Sequence, residues 1–259
     1  MTPTLAVSDT PLARSLLREG KLAVPVETGG LLTASAVAEF PDRHWLLHNS
    51  VWNWSLAHPQ ALEQQDVLAV TRRALEQTRA PWLSVHLGFS AESVSFQGGF
   101  QTASVVLERE TLVSRLITNI SALKAALNVP LLLENLDYNA TGAYEHICEP
   151  EVIRAVLEAT GTYFLLDLSH AQVSASRLGF AIGDYLAQLP LERVKQLHVN
   201  GPRPVEETLA DVHETLRPAD YTLLERVLEQ TEPWAVTLEH GRDAGALHNQ
   251  LDRLQATLD

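Results

Sequence analysis

The segment Pro130–Asp167 reads PLLLENLDYNATGAYEHICEPEVIRAVLEATGTYFLLD. It holds one complete repeat of the chain. Leu131-Leu132-Leu133 and Phe164-Leu165-Leu166 are short runs apolar at every position, as strands buried on both faces of a parallel sheet require. Between them Glu149–Thr160 carries an amphipathic helical pattern that ends at Gly161, a residue suited to the left-handed position after a helix. Strand, helix, strand is the unit of a parallel α/β fold.

The same alternation extends outward to both termini. Candidate strands are Thr4–Val7, Lys21–Val26, His44–His48, Trp82–His86, Pro130–Glu134, Tyr163–Asp167, Val194–His198 and Trp234–Glu239. Helical patterns are clearest at Gln60–Arg79, Leu107–Leu127, Glu149–Thr160, Ala219–Gln230 and Ala244–Leu258. Eight βα units in 259 residues is the arithmetic of a (β/α)8 TIM barrel, about thirty residues per unit. An open doubly wound sheet fits less well, because Ser8-Asp9-Thr10-Pro11 after the first strand is no glycine-rich phosphate turn. With no linker or low-complexity tract, residues 1–259 read as one domain. Three connections after strands are long, Gly88–Gln101, Leu136–Cys148 and Gly201–Pro218, and long loops at that end of a barrel carry function.

Composition narrows the function classes. Nineteen Lys and Arg against 32 Asp and Glu give a net charge of −13, which opposes affinity for nucleic acid or anionic membranes. One cysteine, Cys148, excludes an internal disulfide framework and a cysteine-based zinc site. No signal pattern or 18-residue apolar run is present, so a cytoplasmic location is expected.

The chemistry is in what ends each strand. The third strand ends at His48, the fourth at His86, the fifth at Glu134 and the sixth at Asp167, with His170 three residues on. The seventh ends at His198, with Asp211 and His213 in its loop, and the eighth at Glu239. A lone histidine or carboxylate there is ordinarily structural or a helix cap. Nine such residues over six consecutive strand ends are not scattered, whereas His44, His58, His146, His240 and His248 show no such placement and read as structural or solvated. Four carboxylates converging on one mouth repel unless cations lie between them. Imidazoles and carboxylates without thiolates suit iron, manganese or zinc, and nine donors suit two or three ions. Trp45, Trp52 and Trp54 form an aromatic group beside His48 that reads as packing of the loop over the rim.

The order His, His, Glu, Asp-x-x-His, His, Asp-x-His, Glu resembles the xylose-isomerase-like superfamily, which includes endonuclease IV and the multinuclear non-haem iron-dependent oxidative enzymes of the methanobactin-biosynthesis type. Leu132-Leu133-Glu134-Asn135, Leu165 through Ala175 and Gln196-Leu197-His198-Val199-Asn200-Gly201 are similar to the latter family's fifth, sixth and seventh strand segments. The likeness runs from about Val24 to Arg242 and is strongest from Pro130 onward. It departs from the pattern at His170, where many members carry Asn, and after His198, where Pro202 and Arg203 stand in place of a histidine.

The resemblance implies three metal positions: Glu134, Asp167, His198 and Glu239 around one ion, His48 and His86 with shared Glu134 around a second, and His170, Asp211 and His213 around a third. Glu134, Asp167, His198 and Glu239 are then also the catalytic set. It further implies two or three irons of mixed valence, molecular oxygen as oxidant, a cysteine-containing ribosomally made precursor peptide as substrate, and a separate partner protein that presents it. Asn135, Asn139, Asn200, Arg203 and Arg242 are candidates for substrate binding. Three other readings stay open: a trinuclear zinc phosphodiesterase like endonuclease IV, which the acidic charge opposes; a manganese-dependent sugar isomerase or epimerase, for which Lys124 and Lys195 are misplaced; and a metal-carrying scaffold without catalysis.

Overall fold

The computed structural model describes residues 2–51, 53–97 and 99–259, with Leu31 described by its backbone only. Eight parallel strands close into a barrel: Thr4–Ser8, Val26–Thr28, Trp45–His48, Leu83–His86, Leu131–Glu134, Tyr163–Asp167, Val194–Val199 and Ala235–Leu238. The first strand pairs with both the second and the eighth, which completes the (β/α)8 fold expected from the repeat. Leu131–Glu134 is buried at every residue, as its unbroken apolar pattern requires. Ala6, Leu46, Leu132, Leu165 and Ala235 fill the lower barrel interior around Trp82.

Helices lie outside the strands, and local chemistry sets their ends. Helix Pro11–Arg18 begins with proline in its first turn and Thr10 as N-cap, the Thr10 hydroxyl accepting from the Ala13 amide. Helix Pro150–Thr160 stops at Gly161, whose φ of 60° is the left-handed conformation that glycine adopts without strain. Helix Leu168–Leu178 starts directly from Asp167, with no loop between strand and helix.

Several boundaries differ from expectation. The second strand is Val26–Thr28 rather than Lys21–Val26: it begins after Pro25, which has no N–H to donate to a ladder, and its inner residue is the charged Glu27. The helix expected from Gln60 begins at Val67, because Gln65 and Asp66 hold φ of 49° and 51° and break the helical path. Helix 107–127 is trimmed to Arg109–Ala125. Two of the three long connections contain antiparallel hairpins: Val94–Phe96 with Phe100–Thr102, and Gly201–Val205 with Thr208–Glu214. Trp45 and Trp54 pack in the buried hydrophobic core, and Trp52 lies outside the described residues. Among the described residues no helix is long and apolar enough to cross a membrane.

Candidate metal centre

Parallel pairing sets strand ends side by side at the barrel mouth. His86 is the Cα partner of Glu134, and Asp167 that of His198. Glu134 is the hub. Its Oε2 lies 3.1 Å from His48 Nε2 and 3.2 Å from His86 Nε2, and its Oε1 lies 3.3 Å from His198 Nδ1 and 3.7 Å from His170 Nδ1. Asp167 divides its oxygens: Oδ1 accepts the His170 amide at 2.7 Å and caps the following helix, while Oδ2 stays buried.

The second hairpin brings in Asp211 and His213. Asp211 Oδ2 is 2.9 Å from His213 Nε2 and 3.4 Å from His170 Nε2, and Ser169 donates to Asp211 Oδ1 at 2.8 Å. Glu239 closes the ring, 3.5 Å from His198 Nδ1 and 3.8 Å from His213 Nε2. All nine strand-end residues therefore belong to one contiguous network.

Groups in the network shift one another's protonation. Burial takes His86 down to about 3, with Glu134 acting against it, so this ring is a neutral donor. Burial would also lower His198, but Glu27, Glu239 and Glu134 override it and raise the ring well above its usual value. His213 behaves likewise, burial being overcome by Glu239 and Asp211, which carry it up to about 9. Burial next to Glu239 and Asp211 pushes Asp167 well above the usual carboxylate range. Glu134 moves the other way: burial would raise it, and the imidazoles of His48 and His198 hold it well below.

Hydrogen bonding leaves gaps at the centre of this network. Glu134 Oε2, Asp167 Oδ2 and His198 Nδ1 are buried with no hydrogen-bond partner among the described residues. Buried polar atoms are costly to leave unsatisfied, and such orphans mark a place for an ion or a water, or a strained site. Their residues form one of three groups whose donor atoms lie within 4.8 Å of one another; His48, His86 and Glu134 form the second, and Glu27, His48 and His198 the third. This donor set fits a divalent transition metal. Asn49 Nδ2 also stands 2.6 Å from His48 Nε2, so an ion at that nitrogen displaces this hydrogen bond.

Glu27 was absent from the expected set. A strand boundary two residues later would have made it one more carboxylate at a strand end. The expected substrate-binding residues divide by what already holds them. Asn135 exchanges both amide hydrogen bonds with the Asp167 backbone, and Asn139 donates to Asp137. Arg203 donates to the Thr215 carbonyl, and Arg242 binds Glu214 and the Val212 carbonyl, so both brace the second hairpin. Only Asn200, buried at the end of the seventh strand, has both amide atoms without a partner among the described residues. His240 supports the site from behind, its Nδ1 3.0 Å from the His213 carbonyl.

A family described as RiPP precursor modification enzyme MbnB/TglH/ChrH matches residues 36–258. A UPF0276 protein of Caulobacter vibrioides is 31% identical over 176 residues, 67% of this chain and 61% of the relative, so the match spans about three fifths of that protein's length. Among solved structures, a D-tagatose 3-epimerase-like protein matches with TM-score 0.66 at 11% identity, over 98% of this chain and 97% of its own. Endonuclease IV from Thermus thermophilus matches with TM-score 0.62 at 15% identity, over 99% of both chains. At such identities the likeness shows the (β/α)8 barrel fold alone.

Proposed function

Because the chain belongs to the MbnB/TglH/ChrH family of RiPP precursor modification enzymes, we propose that it oxidises a cysteine-containing, ribosomally made peptide with molecular oxygen at a centre of two or three irons of mixed valence. One observation carries the metal part of this reading: the orphaned Glu134 Oε2, Asp167 Oδ2 and His198 Nδ1 sit in overlapping donor groups at the catalytic end of a TIM barrel.

His48, His86 and Glu134 would hold one ion, and Glu134, Asp167 and His198 with Glu239 a second. His170, Asp211 and His213 would hold a third. Bound iron would supply one-electron chemistry toward oxygen and Lewis acidity toward the substrate thiolate. The protein's own contribution is placement. Glu134 offers one oxygen to His48 and His86 and the other to His198, so this one carboxylate would be shared by both donor groups. Asp167 keeps one oxygen in the cap and presents the other inward. Asn200, with an uncommitted amide, would take a main-chain hydrogen bond from the peptide. A separate protein would present that peptide at the mouth. Arg203 and Arg242 would serve it indirectly by holding the hairpin that carries Asp211 and His213.

The test is elemental analysis of protein purified without oxygen, followed by exposure to oxygen with cysteine-containing precursor peptides and mass spectrometry of the products. Two to three irons per chain and an oxygen-dependent mass change in the peptide are expected. Three zincs with phosphodiester cleavage instead would transfer the site to the endonuclease IV type of chemistry.

A further inference from the structure

We propose that Glu27 is a positioning residue that commits His198 to bind metal through Nδ1, held in turn by a polar column running down the barrel axis. The inference rests on the metal reading above. Glu27 Oε1 lies 2.6 Å from His198 Nε2, and both side chains are almost fully buried. The other oxygen, Oε2, accepts from Gln196 Nε2 and from Thr237 Oγ1. Gln196 Nε2 also donates to Thr237 Oγ1 at 3.1 Å, and Gln196 Oε1 accepts from Trp82 Nε1 at 2.7 Å. The column therefore reaches from the Trp82 plug at the barrel floor to the centre of the metal network.

Its consequence follows from the two nitrogens of an imidazole. A ring that donates from one nitrogen to a carboxylate leaves the other to take a metal ion, which displaces any proton held there, and this fixes both its tautomer and its orientation as a ligand. At His198 the committed nitrogen is Nε2. The remaining one, Nδ1, has no hydrogen-bond partner and faces Glu134 Oε1 at 3.3 Å and Glu239 Oε1 at 3.5 Å. Glu27 itself is the wrong candidate for a ligand although it lies close enough. Both its oxygens are already engaged by protein donors, and Gln196 and Thr237 hold it in that attitude. The arrangement also explains why a carboxylate is tolerated deep inside the barrel: three donors face it in a site closed to water.

The experiment uses zinc as a diamagnetic probe on the full chain labelled with 15N-histidine. Long-range 1H–15N correlation of the zinc-loaded wild type should show His198 metal-bound at Nδ1 and protonated at Nε2. Glu27→Ala should keep its far-UV circular dichroism and its zinc stoichiometry, yet bind about 10–100-fold more weakly in a chelator competition, the cost typical of losing a histidine's supporting carboxylate. The exchange E27Q/Q196E, which returns one amide and one carboxylate to the column, should recover most of that loss with His198 still metal-bound at Nδ1, the readout that separates positioning from packing. Binding of His198 through Nε2, unchanged zinc affinity in Glu27→Ala, or loss of a whole zinc equivalent there would each overturn the proposal while leaving the metal centre standing. A wild type that takes up no zinc or iron would instead remove the metal reading and this inference with it.

Discussion

Glu134 and His86 are Cα partners across the fifth and fourth strands, and that pairing carries His86 Nε2 to 3.2 Å from Glu134 Oε2. The contact is a consequence of register. A slip of one residue would turn Glu134 outward into the helices and Leu133 into the mouth. Ladder geometry thus holds the central carboxylate, and the site should tolerate loss of a side chain better than loss of register.

Glu134→Ala and His86→Ala should accordingly keep the fold and lose metal. Glu134 removes a donor from two groups at once, His86 from one. Elemental analysis of anaerobically purified variants should show the larger loss for Glu134→Ala, with circular dichroism like the wild type in both. Equal retention of metal in both variants would refute the cluster as drawn.

The nine residues that meet at the mouth were legible from short-range sequence: His48, His86, Glu134, Asp167, His198 and Glu239 each close a strand-like run, and His170, Asp211 and His213 follow in the next connection. Glu27 follows the same kind of run, Leu22–Val26, and was missed because ending the strand at Val26 left the charge outside it as a loop residue. Only tertiary pairing of Val26 with Trp45 and Glu27 with Leu46 shows that the strand starts late and carries its charge inward. The hairpin at Gly201–Glu214 was hidden differently. It contains Pro202 and Pro204, residues that weaken any strand pattern and that only a two-stranded ribbon with free edges accommodates.

Gly29 makes a second prediction. A Cβ built there would fall 1.8 Å from the His48 carbonyl oxygen, so backbone from the second strand's end passes directly against the residue that supplies an imidazole. Gly29→Ala must shift one of the two segments and should cost about 1–3 kcal/mol, the range for overpacking. Urea unfolding should show a lower midpoint with an unchanged slope. A wild-type midpoint would mean that the segments move apart freely.

Cys148 should be inert in the native protein. Its thiol is fully buried and donates to the Leu136 carbonyl at 3.3 Å, and burial, reinforced by Asp137, pushes it well above the ordinary 9.0. A thiol reagent at pH 8 should label less than a tenth of the chains within minutes, and one cysteine per chain in denaturant. The pH sign follows. The unfolded thiol ionises near 9 while the folded one stays protonated, so its contribution to stability is intact below that pH and falls as pH rises beyond it. Rapid native labelling would show that the fifth connection opens readily.

The last prediction concerns the order in which ions leave. Glu134 and His198 are almost wholly enclosed, with side-chain exposures of 2% and 1%. His213 is 50% exposed and shares with Asp211 the hairpin strand Thr208–Glu214, which Arg203 and Arg242 brace at its edges. An ion held by His170, Asp211 and His213 therefore has the shortest path to solvent and the most exposed donor. A mild chelator should remove about one equivalent first, and Asp211→Asn should lower the starting stoichiometry by about one while leaving the slower equivalents in place. Arg242→Ala should accelerate that first loss without altering the rest. Its exposed ion pair with Glu214 contributes little to global stability, so any change in rate reports the hairpin and not the barrel. Stopped-flow chelation with a coloured indicator separates the phases. A single phase in wild type and Asp211→Asn alike would mean that the hairpin donors hold no ion of their own.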